Sequence, residues 1–160
     1  MAIEKFGLKY TSTDIYRCID FLFGGSSRKL GRRVAIVAYV GADALSMLPN
    51  PQGVQIICSP TPGATSATAI GKLTERGADV SFADSLHMKL YWSAGRGCLI
   101  TSANLSKNAL GRGGLSEAGY FISDADVPID KIIRSLGKLV PAAGVALARL
   151  EKEGRAHDAA

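Results

Sequence analysis

The sequence predicts an α/β fold, a mixed central sheet flanked by helices on both faces. Three observations carry that expectation. In the first half, apolar runs at 34–40 and 54–58 alternate with stretches of helical spacing, as strand–helix–strand units do. In the second half, the strand-like runs at 87–92, 97–101 and 116–122 follow closely on one another, as antiparallel hairpins do, so the sheet should be mixed. The chain has 160 residues, 47% of them hydrophobic, enough for a single domain with its own core. That domain is expected over 1–154, with a flexible tail over 155–160.

In order along the chain, Ile15, Cys18, Ile19 and Leu22 share one face of a helix over 12–23, which Gly24-Gly-Ser-Ser27 ends. The uninterrupted apolar run 34–40 reads as a buried central strand. Asp43 suits the cap of a short helix closed by Pro49-Asn-Pro51. Residues 54–58 form the next strand, 59–63 a loop, 66–76 a helix and 79–82 a short strand. Gly95-Arg-Gly97 reads as a tight hairpin between the strands at 87–92 and 97–101. Residues 108–114, with three glycines and Arg112, are expected to be mobile and to border a substrate groove. Ile129, Ile132, Ile133, Leu136 and Val140 make a helical stripe interrupted at Pro141, and 142–153 form a final helix.

Composition narrows the function. No apolar run reaches the roughly 20 residues a membrane span needs, and Met1-Ala-Ile-Glu-Lys-Phe does not read as a signal peptide. Cys18, Cys58 and Cys98 are odd in number and sit in apolar runs, as buried thiols in a reducing, cytoplasmic setting do. There is no Cys-x-x-Cys, and the two histidines are far apart in sequence, so no zinc site is expected. The net charge of +5 favours a polyanionic partner. Arg28, Lys29, Arg32 and Arg33 form one basic cluster, and Arg96, Lys107 and Arg112 flank the segment richest in chemistry.

That segment begins at His87-Met-Lys89. On a strand, alternate side chains share a face, so His87 and Lys89 place an imidazole beside a fixed positive charge. Ser102-Ala-Asn104 follows the next strand and looks like a helix start, where backbone N–H groups favour anions. Glu117 opens the strand after that. A nucleophile, a cation and an amide donor around an anion site form a set suited to a phosphodiester.

The pattern resembles the phospholipase D superfamily, whose signature is His-x-Lys, four residues, Asp, a short spacer and Gly-Ser-x-Asn. His87, Lys89, Ser102 and Asn104 match it, while Ala94 stands at the signature Asp and Thr101 at the signature Gly. Glu117, and the run His87-Met-Lys-Leu-Tyr-Trp92, are similar to the nuclease-like branch, which carries a later Glu instead. The resemblance covers about residues 80–122.

It implies a metal-independent phosphodiesterase, most readily a nuclease. His87 would attack phosphorus to form a phosphohistidine. Lys89 and Asn104 would bind the non-bridging oxygens, and Glu117 would fix a histidine tautomer. Ser102 would bind substrate or cap the turn, and Arg96, Lys107 and Arg112 are candidate substrate contacts. No cofactor is implied. The scheme needs two histidines and the chain has one motif, so the resemblance implies a homodimer with one site shared across its two-fold axis. The partner expected is nucleic acid, DNA ahead of RNA. A non-catalytic nucleic-acid-binding module of the same fold is the alternative, and a phospholipase a more distant one.

Overall fold

The structure, a computed structural model, describes residues 4–25, 30–111 and 113–160. Arg28 and Lys29 of the basic cluster, and Arg112, lie outside the described residues. Among the described residues eight strands form one sheet in the order β1-β7-β6-β5-β2-β3-β4-β8. They are β1 Gly7–Lys9, β2 Arg33–Ile36, β3 Gln55–Cys58, β4 Asp79–Phe82, β5 Leu90–Ser93, β6 Gly97–Thr101, β7 Gly119–Ile122 and β8 Val140–Pro141. β2, β3 and β4 run parallel, and every other pairing is antiparallel. The α/β sandwich expected from the sequence is present.

Among the described residues six α-helices cover the sheet: α1 Ser12–Phe23, α2 Ala44–Met47, α3 Ala67–Glu75, α4 Lys107–Leu110, α5 Ile129–Ser135 and α6 Gly144–Ala159. Alternation along the strands gives two cores. On the first face Ala35, Ile56, Tyr91, Leu99 and Phe121 pack under Ile15, Ile19 and Leu22 of α1, Ile70 and Leu73 of α3, and Leu150 of α6. On the second face Val34, Ile36, Ile57, Leu90, Trp92 and Cys98 pack with Val127 and with Ile129, Ile132 and Ile133 of α5. Burial pushes Cys58 and Cys98 up to about 12 and Cys18 to about 11, so the three thiols stay protonated and serve as core atoms.

Several elements differ from the sequence reading. β2 ends at Ile36, although the apolar run continues to Val40: beyond it the chain leaves the ladder, still buried, to meet the segment after β6. β1 and β8 were not anticipated, being three and two residues long and lying at the two edges, where burial leaves no strong pattern. Val140 belongs to β8, not to the helical stripe, because α5 stops at Ser135 and Gly137 then takes φ +75°. α6 runs through Ala159, across the residues expected as a tail, with Arg149–Glu153 and Arg155–Glu151 ion pairs along it.

Arg33 illustrates how the base of the sheet is tied. Its guanidinium is buried and donates to the carbonyls of Phe23 at 3.1 Å, Asn50 at 2.7 Å and Gln52. Arg33→Met would keep the apolar stem and strand three acceptors. The Phe23 carbonyl is the buried one of the three, and a buried unsatisfied group costs about 1–3 kcal/mol, so a loss in that range is expected. Urea denaturation measures it, and a midpoint unchanged from wild type would remove this residue from the stability argument.

Candidate active site

The strand directions gather the motif on one edge. The carboxyl ends of β2, β3, β4 and β6 and the amino ends of β5 and β7 lie together there. His87 and Lys89 enter β5, Ser102 and Asn104 follow β6, and Glu117 precedes β7. Every catalytic candidate therefore reaches the same edge, the end of an α/β sheet where ligands commonly bind.

His87 and Lys89 are not on the strand itself, because β5 begins at Leu90. The approach to it turns at Ser85, which takes φ +57°, while Ala83 and Leu86 pack into the second core. Lys89 Nζ lies 3.3 and 3.4 Å from the two ring nitrogens of His87 and donates to the His87 carbonyl at 3.0 Å. The imidazole and the cation are thus adjacent, as expected, but through a turn that folds the lysine back and not through strand alternation. The His87 side chain is exposed.

Asn104 is not at a helix start. α4 begins at Lys107 and is capped by Ser106, whose Oγ accepts from the Ala109 N–H at 3.2 Å. Asn104 instead bridges two loops. Its Oδ1 accepts from the Tyr39 N–H at 3.0 Å, while Gly41 N donates to the Leu105 carbonyl at 2.9 Å. The Tyr39 N–H can only donate, so it fixes the amide with oxygen inward and leaves the NH2 group as a donor free of protein partners among the described residues. The ends of β2 and β6 can meet in this way because β5 starts too late to separate them.

Ser102 and Glu117 form a pair. Ser102 Oγ donates to Glu117 Oε2 and accepts from the Ala118 N–H at 3.1 Å. Glu117 was expected to hold an imidazole; in the structure it holds Ser102, and no hydrogen bond joins it to His87. Its charge is felt deeper: burial, with Glu117 adding, holds the Tyr91 phenol well above its usual range, so its O–H remains a donor to the Ala103 carbonyl at 3.0 Å. Tyr91 thereby pins the Ser102–Asn104 turn to β5, a role that the sequence signalled only as an apolar strand residue.

Both departures from the signature have a structural context. Thr101 Oγ1 donates to the Ala118 carbonyl at 2.6 Å and accepts from the Ala103 N–H at 3.1 Å, bracing the turn. Its ladder partner is Gly119, where an added Cβ would lie 2.9 Å from Thr101 Cβ, so the side chain gained on one strand is accommodated by its absence on the other. Ala94 sits at the hairpin, five positions from Lys89 with the whole of β5 between them, roughly 17 Å away along the strand.

Arg96 shares that far end. Its Nη1 donates to the Phe21 carbonyl at 2.7 Å and its guanidinium lies 5.6 Å from the Phe21 ring centre, so the structure does not bring it to the motif. Lys107, exposed on the first turn of α4, stays near the motif edge. His157 is on the last turn of α6 beside Gly63, 3.7 Å from Asp158 Oδ1, and among the described residues has no lysine beside it as His87 has. Clefts of about 460 Å³ against Arg155 and about 530 Å³ against Arg149 contain no motif residue; at the motif edge His87 and Ser102 are exposed and Lys89, Asn104 and Glu117 half-buried. Among the described residues no three His, Cys, Asp or Glu side chains are grouped to hold a metal ion, and no helix is long and apolar enough to cross a membrane.

Solved structures similar to this chain include NucT and Nuc. NucT from Helicobacter pylori superposes with a TM-score of 0.59 at 17% identity, covering 86% of this chain and 98% of that one. A phospholipase D family member, Nuc from Salmonella typhimurium, gives a TM-score of 0.56 at 11% identity, covering 82% and 91%. At such identities the likeness is one of fold. No protein-family model matches the chain, and no curated protein matches it by sequence.

Proposed function

We propose that this chain is a phosphodiesterase of the phospholipase D type that cleaves nucleic acid, with each complete site assembled from two copies. The observation that carries the reading is the convergence of His87, Lys89 and the outward amide of Asn104 on one open edge, in a fold shared with a phospholipase D family member.

The chemistry follows from the groups. An exposed His87 nitrogen attacks phosphorus, forming a P–N bond as the P–O bond to the leaving oxygen breaks; the His87 of a second copy gives that oxygen a proton. Water then attacks phosphorus, passes its proton back to the second imidazole, and the P–N bond breaks. Lys89 and the Asn104 NH2 group face the non-bridging oxygens, where negative charge is concentrated in the transition state. Glu117, steadied by Ser102, has a second carboxylate oxygen with which to accept from an imidazole N–H across the seam. A single copy offers one such imidazole, because His157 has no comparable setting.

Lys89, Lys107 and Arg112 are the proposed contacts to the nucleic-acid backbone, and DNA is the first substrate to test. Plasmid and single-stranded DNA incubated with the protein in excess EDTA should be cut. Activity that disappears in EDTA and returns with magnesium would refute the mechanism. Retained binding with no cutting under any condition would favour a binding module of the same fold.

A further inference from the structure

The second face of the sheet is covered unevenly. Over β2 and β5 it is closed by α5 and the turn at 124–127. The cover reaches Cys98 of β6 and Ile122 of β7, but toward the motif end of β6, β7 and β1 the face lies exposed at Ile100, Tyr120 and Leu8. Ladder register places Leu8 opposite Tyr120 and Tyr120 opposite Ile100, so these three form one row across the three strands. They are 62%, 55% and 46% exposed. Leu90 continues the row on β5, but there it is buried. An apolar row that is core on one half of a face and bare on the other marks an unfilled contact.

We propose that this wing, the outer face of β6, β7 and β1, is the surface against which a second copy of the chain packs, completing the site. The inference rests on the shared-site reading above and specifies which surface does the sharing. Four features identify a second copy as the occupant. Ile100 lies two residues before Ser102 and Tyr120 three after Glu117, so the row is continuous with the motif edge. The segment carrying His87 approaches from this same face, since Ala83 and Leu86 belong to the second core. Leu8 and Ile100 have no π face on which a base could stack, and the row carries no cation, so it suits protein better than nucleic acid. A two-fold axis along the strands in front of the wing sets two sheets face to face with both motif edges at the same end, which brings two His87 rings toward one phosphorus.

The wing is roughly 14 Å across three strands. It therefore provides the apolar centre, and exposed Met88 and Leu115 with the polar motif loops provide the rim of a contact of about 800 Å² per partner. Trp92 and Leu90, apolar neighbours of the motif in sequence, are excluded from the seam because both are buried within the chain.

Leu8→Arg and Tyr120→Arg, made separately, test the proposal by light scattering, circular dichroism and DNA cleavage. Leu8 is far from the motif in sequence, so its effect on cleavage reads association. The expected result is a wild-type dimer, twice the 16.8 kDa chain mass, and folded monomeric variants that have lost cleavage. Should a variant not fold, Leu8→Cys supplies a second readout: its thiol should react with maleimide much more slowly in the native dimer than in the denatured chain, the native cysteines being buried. A wild-type dimer whose variants remain dimeric and active, or a Leu8→Cys thiol that reacts freely in the dimer, overturns this seam and leaves the shared site standing. An active wild-type monomer overturns both.

Discussion

His87→Ala is expected to abolish turnover and the covalent phosphoenzyme while leaving the fold and the dimer intact. The side chain is exposed, belongs to neither core, and among the described residues hydrogen-bonds with Lys89, so its removal takes nothing from either core. It leaves phosphorus without the nitrogen that would attack it. The effect should also pass between chains. In a random mixture each site needs two intact copies, so an equal mixture should retain about one quarter of wild-type activity and not one half. Acid-quenched labelling with a phosphorus-labelled substrate checks the intermediate, and a titration of mutant into wild type checks the sharing. Wild-type activity in His87→Ala would place the chemistry elsewhere, and a linear titration would assign each site to one chain.

The second large effect is expected from Asn104→Asp. The aspartate can still accept from the Tyr39 N–H, so the two loops stay joined and the melting temperature should change little. What changes is the outward end of the side chain, where an NH2 donor becomes an oxygen bearing negative charge. Losing one donor to developing transition-state charge costs about 2–4 kcal/mol, or roughly two to three orders of magnitude in rate. A carboxylate facing the phosphate adds repulsion, so Asn104→Asp should be worse than Asn104→Ser. The fall should appear in kcat more than in KM. A variant that loses its melting temperature along with its activity would make Asn104 a loop tie and not a donor.

The motif residues were legible because the site is local in sequence: His87 to Glu117 span two hairpin-linked strands, and strand pairing alone returns their ends to one edge. The sheet was legible because apolar runs and turn glycines record burial directly. Spacing, however, contains no distances. It placed Arg96 beside the motif, whereas the length of β5 carries it to the opposite end. It made Asn104 a helix start, although its oxygen is committed to Tyr39, 65 residues away in sequence. Nor did it show that the ladder between β6 and β7 sets one oxygen of Glu117 against Ser102.

By itself, then, the sequence determined the layered architecture and the residue types meeting at the site, since both are written in periodicity and motif order. Only the tertiary structure decided what those residues touch. It also exposed the bare wing: Ile100 and Tyr120 lie in apolar strand runs, yet they are surface, with Leu8 beside them, because the cover over the second face stops short of the motif end of β6 and β7.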